Sequence, residues 1–206
     1  MGILGNSAII HLNLILIIKV KVGIMTELVP NVIGFHCNDE IRCTSFLSDP
    51  KYLIWSNEDG MWLGSGMYFW DNVGNAQYWR IGKIRKDKAR KYKYTIVKAH
   101  LILTNILDLT DKTVYDKVNS LWSDLCETIG GIPKDCPIGK KLNLLYNNYM
   151  HDRIDIIKAF GYYPKTPDNG FFCIQPYERP SLSIKIKCIY SVKNVRCVVD
   201  RKACES

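Results

Sequence analysis

The sequence predicts an α+β domain with a mostly antiparallel sheet at its core. Three observations carry that prediction. Strand-like runs stand at both ends of the chain around a helical middle. Strands and helices do not alternate regularly, as a parallel sheet would need. No internal repeat or low-complexity linker divides the chain, and 206 residues suit one compact domain. A hydrophobic content of 47% with 23% charged residues fits a globular protein.

Residues 32–35 read as a short buried strand, followed by the polar turn Asn38-Asp39-Glu40 and a short helix over 40–48 that stops at Pro50. The turn Asn57-Glu58-Asp59-Gly60 leads into an aromatic strand over 62–70. A helix over 75–84 offers Ala76, Trp79, Ile81 and Ile84 as an apolar face. Residues 94–109 form the longest β-like run, ending at Asp108-Leu109-Thr110-Asp111. Asp111 has the character of an N-cap for a helix over 112–128, where Val114, Val118, Leu121, Trp122 and Leu125 recur at helical spacing. Gly130-Gly131-Ile132-Pro133 breaks it. Residues 141–160 read as a second helix with Leu142, Leu145, Tyr149, Ile156, Ile157 and Phe160 inward, and 162–170 as a loop. Strands follow over 171–174 and 182–189, the latter alternating Leu182, Ile184 and Ile186 with Ser183, Lys185 and Lys187; residues 192–199 add one more.

The first 24 residues form an apolar extension, and a single domain is expected over 25–206. The apolar run precedes Lys19 and Lys21, the reverse of a secretory signal, and it is short for a membrane span. The eight cysteines contain no Cys-x-x-Cys pair, and several lie in apolar runs. They read as reduced thiols of a cytoplasmic protein, with neither a disulfide framework nor a zinc site.

Much of the net charge of +8 is concentrated in one place. Lys83, Arg85, Lys86, Lys88, Arg90, Lys91 and Lys93 stand against a single acid, Asp87, with Tyr92 and Tyr94 interleaved. Two readings stay open: a solvated loop, or a groove in which cations meet phosphates and rings stack on bases, as for RNA or single-stranded DNA.

Two further segments carry chemistry: Gly34-Phe35-His36, and Trp62-Leu63-Gly64-Ser65-Gly66-Met67-Tyr68-Phe69-Trp70. A lone His at a strand end or a Tyr within an aromatic strand is ordinarily core; their order and spacing here matter more. Together they resemble the His-Tyr-Glu branch of the ADP-ribosyltransferase superfamily, which includes the diphtheria-toxin-like enzymes and the poly(ADP-ribose) polymerases. The resemblance extends from residue 32 to residue 195. It implies an ADP-ribosyltransferase-like split antiparallel β-sheet core with flanking helices. The implied substrate is NAD, with no metal. Such a site clamps the nicotinamide, holds its ribose and stabilises positive charge developing on the sugar.

His36 matches the family position that hydrogen-bonds a ribose hydroxyl of NAD. Cys37 and Asn38 stand where the family usually has Gly followed by Thr or Ser. Tyr68 matches the second position, within a stretch close to the family's Gly-x-Gly-Ile-Tyr-Phe, and Gly66 belongs to the same motif. Asn75 falls where the family begins a helix beside the site, with Ser65 and Arg80 as weaker neighbours. The third position calls for a late acid. Glu178 is the natural choice, with Gln175 and Asp168 as alternatives.

Trp62, Trp70, Ala76-Gln77-Tyr78-Trp79 and Leu107-Asp108-Leu109-Thr110-Asp111 also resemble a bacterial, toxin-like subgroup. That implies a mono-ADP-ribosyltransferase toxin in phage defence, silenced by an antitoxin protein. The basic segment after Arg80, with Tyr92 and Tyr94, points to nucleic acid as the acceptor, RNA before DNA. The alternatives are a protein acceptor, or an inactive module that binds NAD, ADP-ribose or nucleic acid.

Overall fold

The computed structural model describes residues 29–57, 62–89, 91–131, 136–166 and 183–204. Within these, seven strands form one sheet in the order β4-β5-β6-β2-β1-β3-β7. The strands are β1 (Asn31–Asp39), β2 (Met67–Trp70), β3 (Tyr94–Ile102), β4 (Ile106–Asp108), β5 (Ile156–Tyr162), β6 (Ile186–Val192) and β7 (Val198–Ala203). Every pairing is antiparallel except that of β4 with β5. The helices are α1 (Glu40–Ser48), α2 (Val73–Lys86), α3 (Lys112–Ile129) and α4 (Ile138–Leu145). The architecture is therefore mixed helix and sheet, in agreement with the α+β expectation. The apolar extension over 1–24 and the strand over 171–174 lie outside the described residues.

Both faces of the sheet are covered. Along β2 the side chains alternate: Met67 and Phe69 enter one apolar cluster, with Cys43 and Phe46 of α1. Trp70 enters the other, with Ala76 of α2, Leu121 and Leu125 of α3, and Leu142 and Leu145 of α4; Tyr68 packs against its margin. This is the period-two alternation of a strand.

Local chemistry sets the helix ends. Asp39 caps α1 by accepting from Arg42 N at 2.9 Å, and Asn72 caps α2 by accepting from Asn75 N at 2.9 Å. Asp111 caps α3 through Thr113 N and Val114 N, where the sequence placed it. Gly130 closes that helix at φ +69°, a conformation open chiefly to glycine. Carbonyls of the last turn of α1 and of the segment after it converge on the Arg201 guanidinium, which donates to Phe46 O, Asp49 O, Tyr52 O and Pro50 O.

Several expectations are corrected. The helix read over 141–160 ends in a π-helical turn at Tyr146–Met150, and β5 begins at Ile156. Ile156 and Ile157 are both fully buried but enter opposite clusters, which only a strand permits. The β-branched run there overrode an apolar spacing that also suited a helix. The strand read over 62–70 is confined to Met67–Trp70, because Gly64 turns the chain at φ +77°. The run over 94–109 breaks after Ile102 into β3 and β4. The alternation over 182–189 misjudged its face: Ile186 is 46% exposed, and the buried stretch is Cys188–Val192. That stretch lies between β5 and β2, covered on both faces, so it is continuously rather than alternately buried. The last strand starts at Val198, after a 3₁₀ turn. On α2 only Ala76 of the expected apolar face is buried, whereas Ile81 and Ile84 are exposed.

Candidate functional site

β1 and β2 share a single register pair, Phe35↔Trp70. Beside that pair the His36 ring lies at the seam between the strands, with Nδ1 2.6 Å from Tyr68 O. A carbonyl can only accept, so Nδ1 carries the proton and Nε2 presents its lone pair. Asn38 Nδ2 donates toward Nε2 at 3.3 Å. Burial holds His36 down to about 4, and the nearby Lys83 charge adds to this, against the opposing pull of the Tyr68 bond and of Asp39. At neutral pH His36 is an uncharged acceptor.

A cleft of about 520 Å³ opens at this seam. His36, Cys37 and Asn38 of β1 line it together with Tyr68 and Trp70 of β2. Trp79 and Lys83 of α2, Arg42 of α1, Trp62 and residues 54–57 complete the lining. The aromatic rings support one another. Trp62 meets Tyr68, Trp70 and Trp79 edge-on at 6.5, 6.4 and 6.4 Å between centroids, and Tyr163 packs on Trp62 and Trp70 at 5.9 and 5.8 Å. Tyr68 Oη donates to Gly64 O at 2.5 Å, tying the strand to the loop before it.

That loop is held from outside the sheet. Ser65 N donates to Asn143 Oδ1 at 2.8 Å, and Asn143 Nδ2 returns a bond to Ser65 Oγ at 3.1 Å. The buried Lys193 ammonium donates to Leu63 O at 2.8 Å and also to Ser65 O. These contacts set the position of Trp62, one wall of the cleft.

The structure thus gathers His36, Cys37, Asn38, Tyr68 and Lys83 into one cleft. Burial pushes the Cys37 thiol up to about 11, against the opposing charges of Lys83 and Arg80, so it is protonated and a poor nucleophile. Gly66 does not line the cleft. It packs against β6, where a Cβ would stand 2.6 Å from Ser191 Oγ and 2.7 Å from Val192 O. Asn75 also stands apart, its amide donating to Asp71 Oδ1 at 2.9 Å at the start of α2. Glu178, Gln175, Asp168 and Arg90 lie outside the described residues. No carboxylate lines the cleft among the described residues.

The basic segment divides. Lys83 belongs to the cleft, while Arg80, Lys88 and Lys93 line a neighbouring open groove of about 680 Å³ with Ile84, Asp87, Tyr92 and Tyr94. Lys93 Nζ pairs with Glu40 Oε1 at 2.6 Å, Lys91 Nζ lies 5.2 Å above the Tyr92 ring, and Arg85 and Lys86 are exposed in the last turn of α2. Sequence reasoning missed Arg42 and Trp55 as lining residues. Neither sits in a motif, and only the folding of α1 and of the 54–57 loop against the seam brings them there.

Among the described residues no group of three or more His, Cys, Asp or Glu side chains could hold a metal ion, and no helix is long and apolar enough to cross a membrane. No family model, curated protein or solved structure matches the chain significantly.

Proposed function

We propose that this protein is an NAD-dependent mono-ADP-ribosyltransferase acting on nucleic acid, RNA in preference to DNA. The observation that carries the reading is the His36–Tyr68 seam: a neutral imidazole acceptor and a tyrosine on adjacent strands, facing one aromatic cleft. The cleft suits NAD as substrate. Tryptophan walls accept planar rings, His36 Nε2 accepts from a ribose hydroxyl in place of its 3.3 Å bond from Asn38 Nδ2, and cations stand at the mouth. In the reaction the bond between nicotinamide and ribose C1′ breaks, and its electron pair leaves with nicotinamide. A nucleophilic atom of the acceptor then bonds to C1′ and loses its proton.

Each side chain has a role in this proposal. His36 orients the ribose. Tyr68 and Trp62 flank the nicotinamide ring, and Cys37 and Asn38 shape its pocket. Glu178 supplies the carboxylate that stabilises positive charge on the sugar. The groove along Arg80, Lys88 and Tyr92 receives the acceptor strand. A toxin restrained by an antitoxin protein, acting in the cytoplasm during phage defence, would use such a site.

One observation favours a second reading, a binding module without turnover: the lining carries Cys37 and Asn38 where the family usually has Gly followed by Thr or Ser. Incubating the protein with radiolabelled NAD and a cell lysate separates the two. On the first reading the label becomes fixed to material that RNase removes and protease does not, and Glu178→Gln abolishes labelling while NAD binding survives. Protease-sensitive label would reassign the acceptor to protein. Binding with neither label nor released nicotinamide would establish the binding module.

A further inference from the structure

The floor and the mouth of the cleft differ in chemistry. His36 and Trp70 at the floor are 8% and 7% exposed. At the mouth stand the exposed rings of Trp55 and Trp79, with Arg42 from α1 and Lys83 from α2. One helix contributes each cation, and the two helices pack against opposite faces of the sheet.

Neither cation is neutralised by a close, well-aligned partner among the described residues. Asp39 engages the Nε edge of Arg42 at 3.4 Å, a long contact, and its other oxygen is occupied as the α1 cap. Lys83 Nζ lies 5.8 Å above the Tyr94 ring, with no carboxylate of the described residues within ion-pair distance. Its charge is felt by both His36 and Cys37, so it acts on the cleft floor as well as its mouth. Two cations share the lining of one cleft with Trp55, Trp62, Tyr68 and Trp79, a combination that suits an anion carried between planar rings.

We infer that Arg42 and Lys83 clasp the diphosphate of a dinucleotide across the mouth of the cleft, with one ring stacked inside against Trp62 and Tyr68 and the other outside against the exposed Trp55. This rests on the NAD reading for the identity of the dinucleotide, while the clasp itself requires only a nucleoside diphosphate. It assigns Lys83 to the dinucleotide rather than to the acceptor strand, separating it from Arg80 and Lys88. Arg42 becomes a specificity-determining residue on an element with no recognisable motif.

The test is direct because Trp55, Trp62, Trp70 and Trp79 line the site and only Trp122, on α3, lies elsewhere. Tryptophan fluorescence of the full chain is titrated with NAD, ADP and adenosine at low and high salt. Wild type is expected to bind NAD and ADP more tightly than adenosine, with the difference shrinking as salt rises. Arg42→Ala and Lys83→Ala each weaken ADP and NAD about tenfold and leave adenosine unchanged, whereas Arg42→Lys and Lys83→Arg retain most of the affinity.

Three results would overturn the clasp: equal affinity of wild type for ADP and adenosine or no binding of either, undiminished ADP binding in both alanine variants, or equal loss of adenosine. A single-stranded oligoribonucleotide that depends on these residues more than ADP does would also overturn it, handing the cations to the acceptor. A protein that shows the expected ADP dependence but transfers no label keeps the clasp and loses the transferase reading.

Discussion

His36 shows how one side chain can be chemically specified by its neighbours. Its Nδ1–H is committed to Tyr68 O, its ring packs 5.8 Å from Phe69, and burial refuses it a second proton until about pH 4. Between pH 6.5 and about 4 the unfolded chain takes up a proton that the folded chain does not. Stability therefore falls as pH falls through that window, by about 3 kcal/mol in all, and is unaffected by this group above it. Urea unfolding from pH 7.5 to 4.5 should show the decline, and His36→Gln should flatten it. An undiminished pH slope in the variant would place its origin in other groups.

The motif that brought His36 to notice identified the residue and not its tautomer. The tautomer depends on a carbonyl thirty-two positions along the chain. Cys37 illustrates the complementary case. Its departure from the family pattern was visible in the sequence, but its protonation was not, because burial between β1 and α2 sets it.

At the scale of elements, the loop before β2 matters more than its length suggests. Gly64 sits at φ +77°, and a Cβ there would collide with Asn143 Oδ1 and stand 3.0 Å from Gly139 O. Gly64→Ala should destabilise the fold by about 3 kcal/mol, through backbone strain together with overpacking. It should also loosen the Asn143–Ser65 tie, so that fluorescence from the Trp62 wall shifts toward that of exposed indole. Thermal unfolding and emission spectra check both effects; an unchanged melting temperature would mean that the loop relaxes freely.

Capping was the most legible feature at this scale. Asp111 opens α3 as its sequence position implied, and Pro50 follows the end of α1. The boundary between α4 and β5 was not legible. Leu142, Leu145, Tyr149, Ile156, Ile157 and Phe160 satisfy a helical stripe on paper, and the sheet claims the last three because β6 and β4 flank the strand. Local propensity cannot register a partner strand that arrives later in the chain.

Over the whole molecule, helices on both faces of the sheet leave β1 and β2 paired at one position, and the cleft and the basic groove lie side by side along α2. If nucleic acid occupies the groove, binding should weaken steeply with salt. Lys88→Gln or Arg80→Gln should each lower the slope of log affinity against log salt by about 0.7, the value for one phosphate contact on a single strand. Lys93→Gln should change it less, since its ammonium is already paired with Glu40. Filter binding of a single-stranded RNA at a series of salt concentrations measures all three, and equal effects would argue for a diffuse surface charge.

From the sequence alone come the α+β class, the helix capped by Asp111, the concentration of positive charge after Arg80 and the candidates His36 and Tyr68. The first three are written in neighbouring residues, through spacing, caps or local composition, and the last pair in a family resemblance. The tertiary structure decided that β5 is a strand, that Gly66 is a packing residue and Asn75 a helix-start residue, that Lys83 faces the cleft, and that Arg42 and Trp55 share that cleft with it. Those outcomes depend on strand pairing and on which face of the sheet a helix covers, and both are set by residues far apart in the chain.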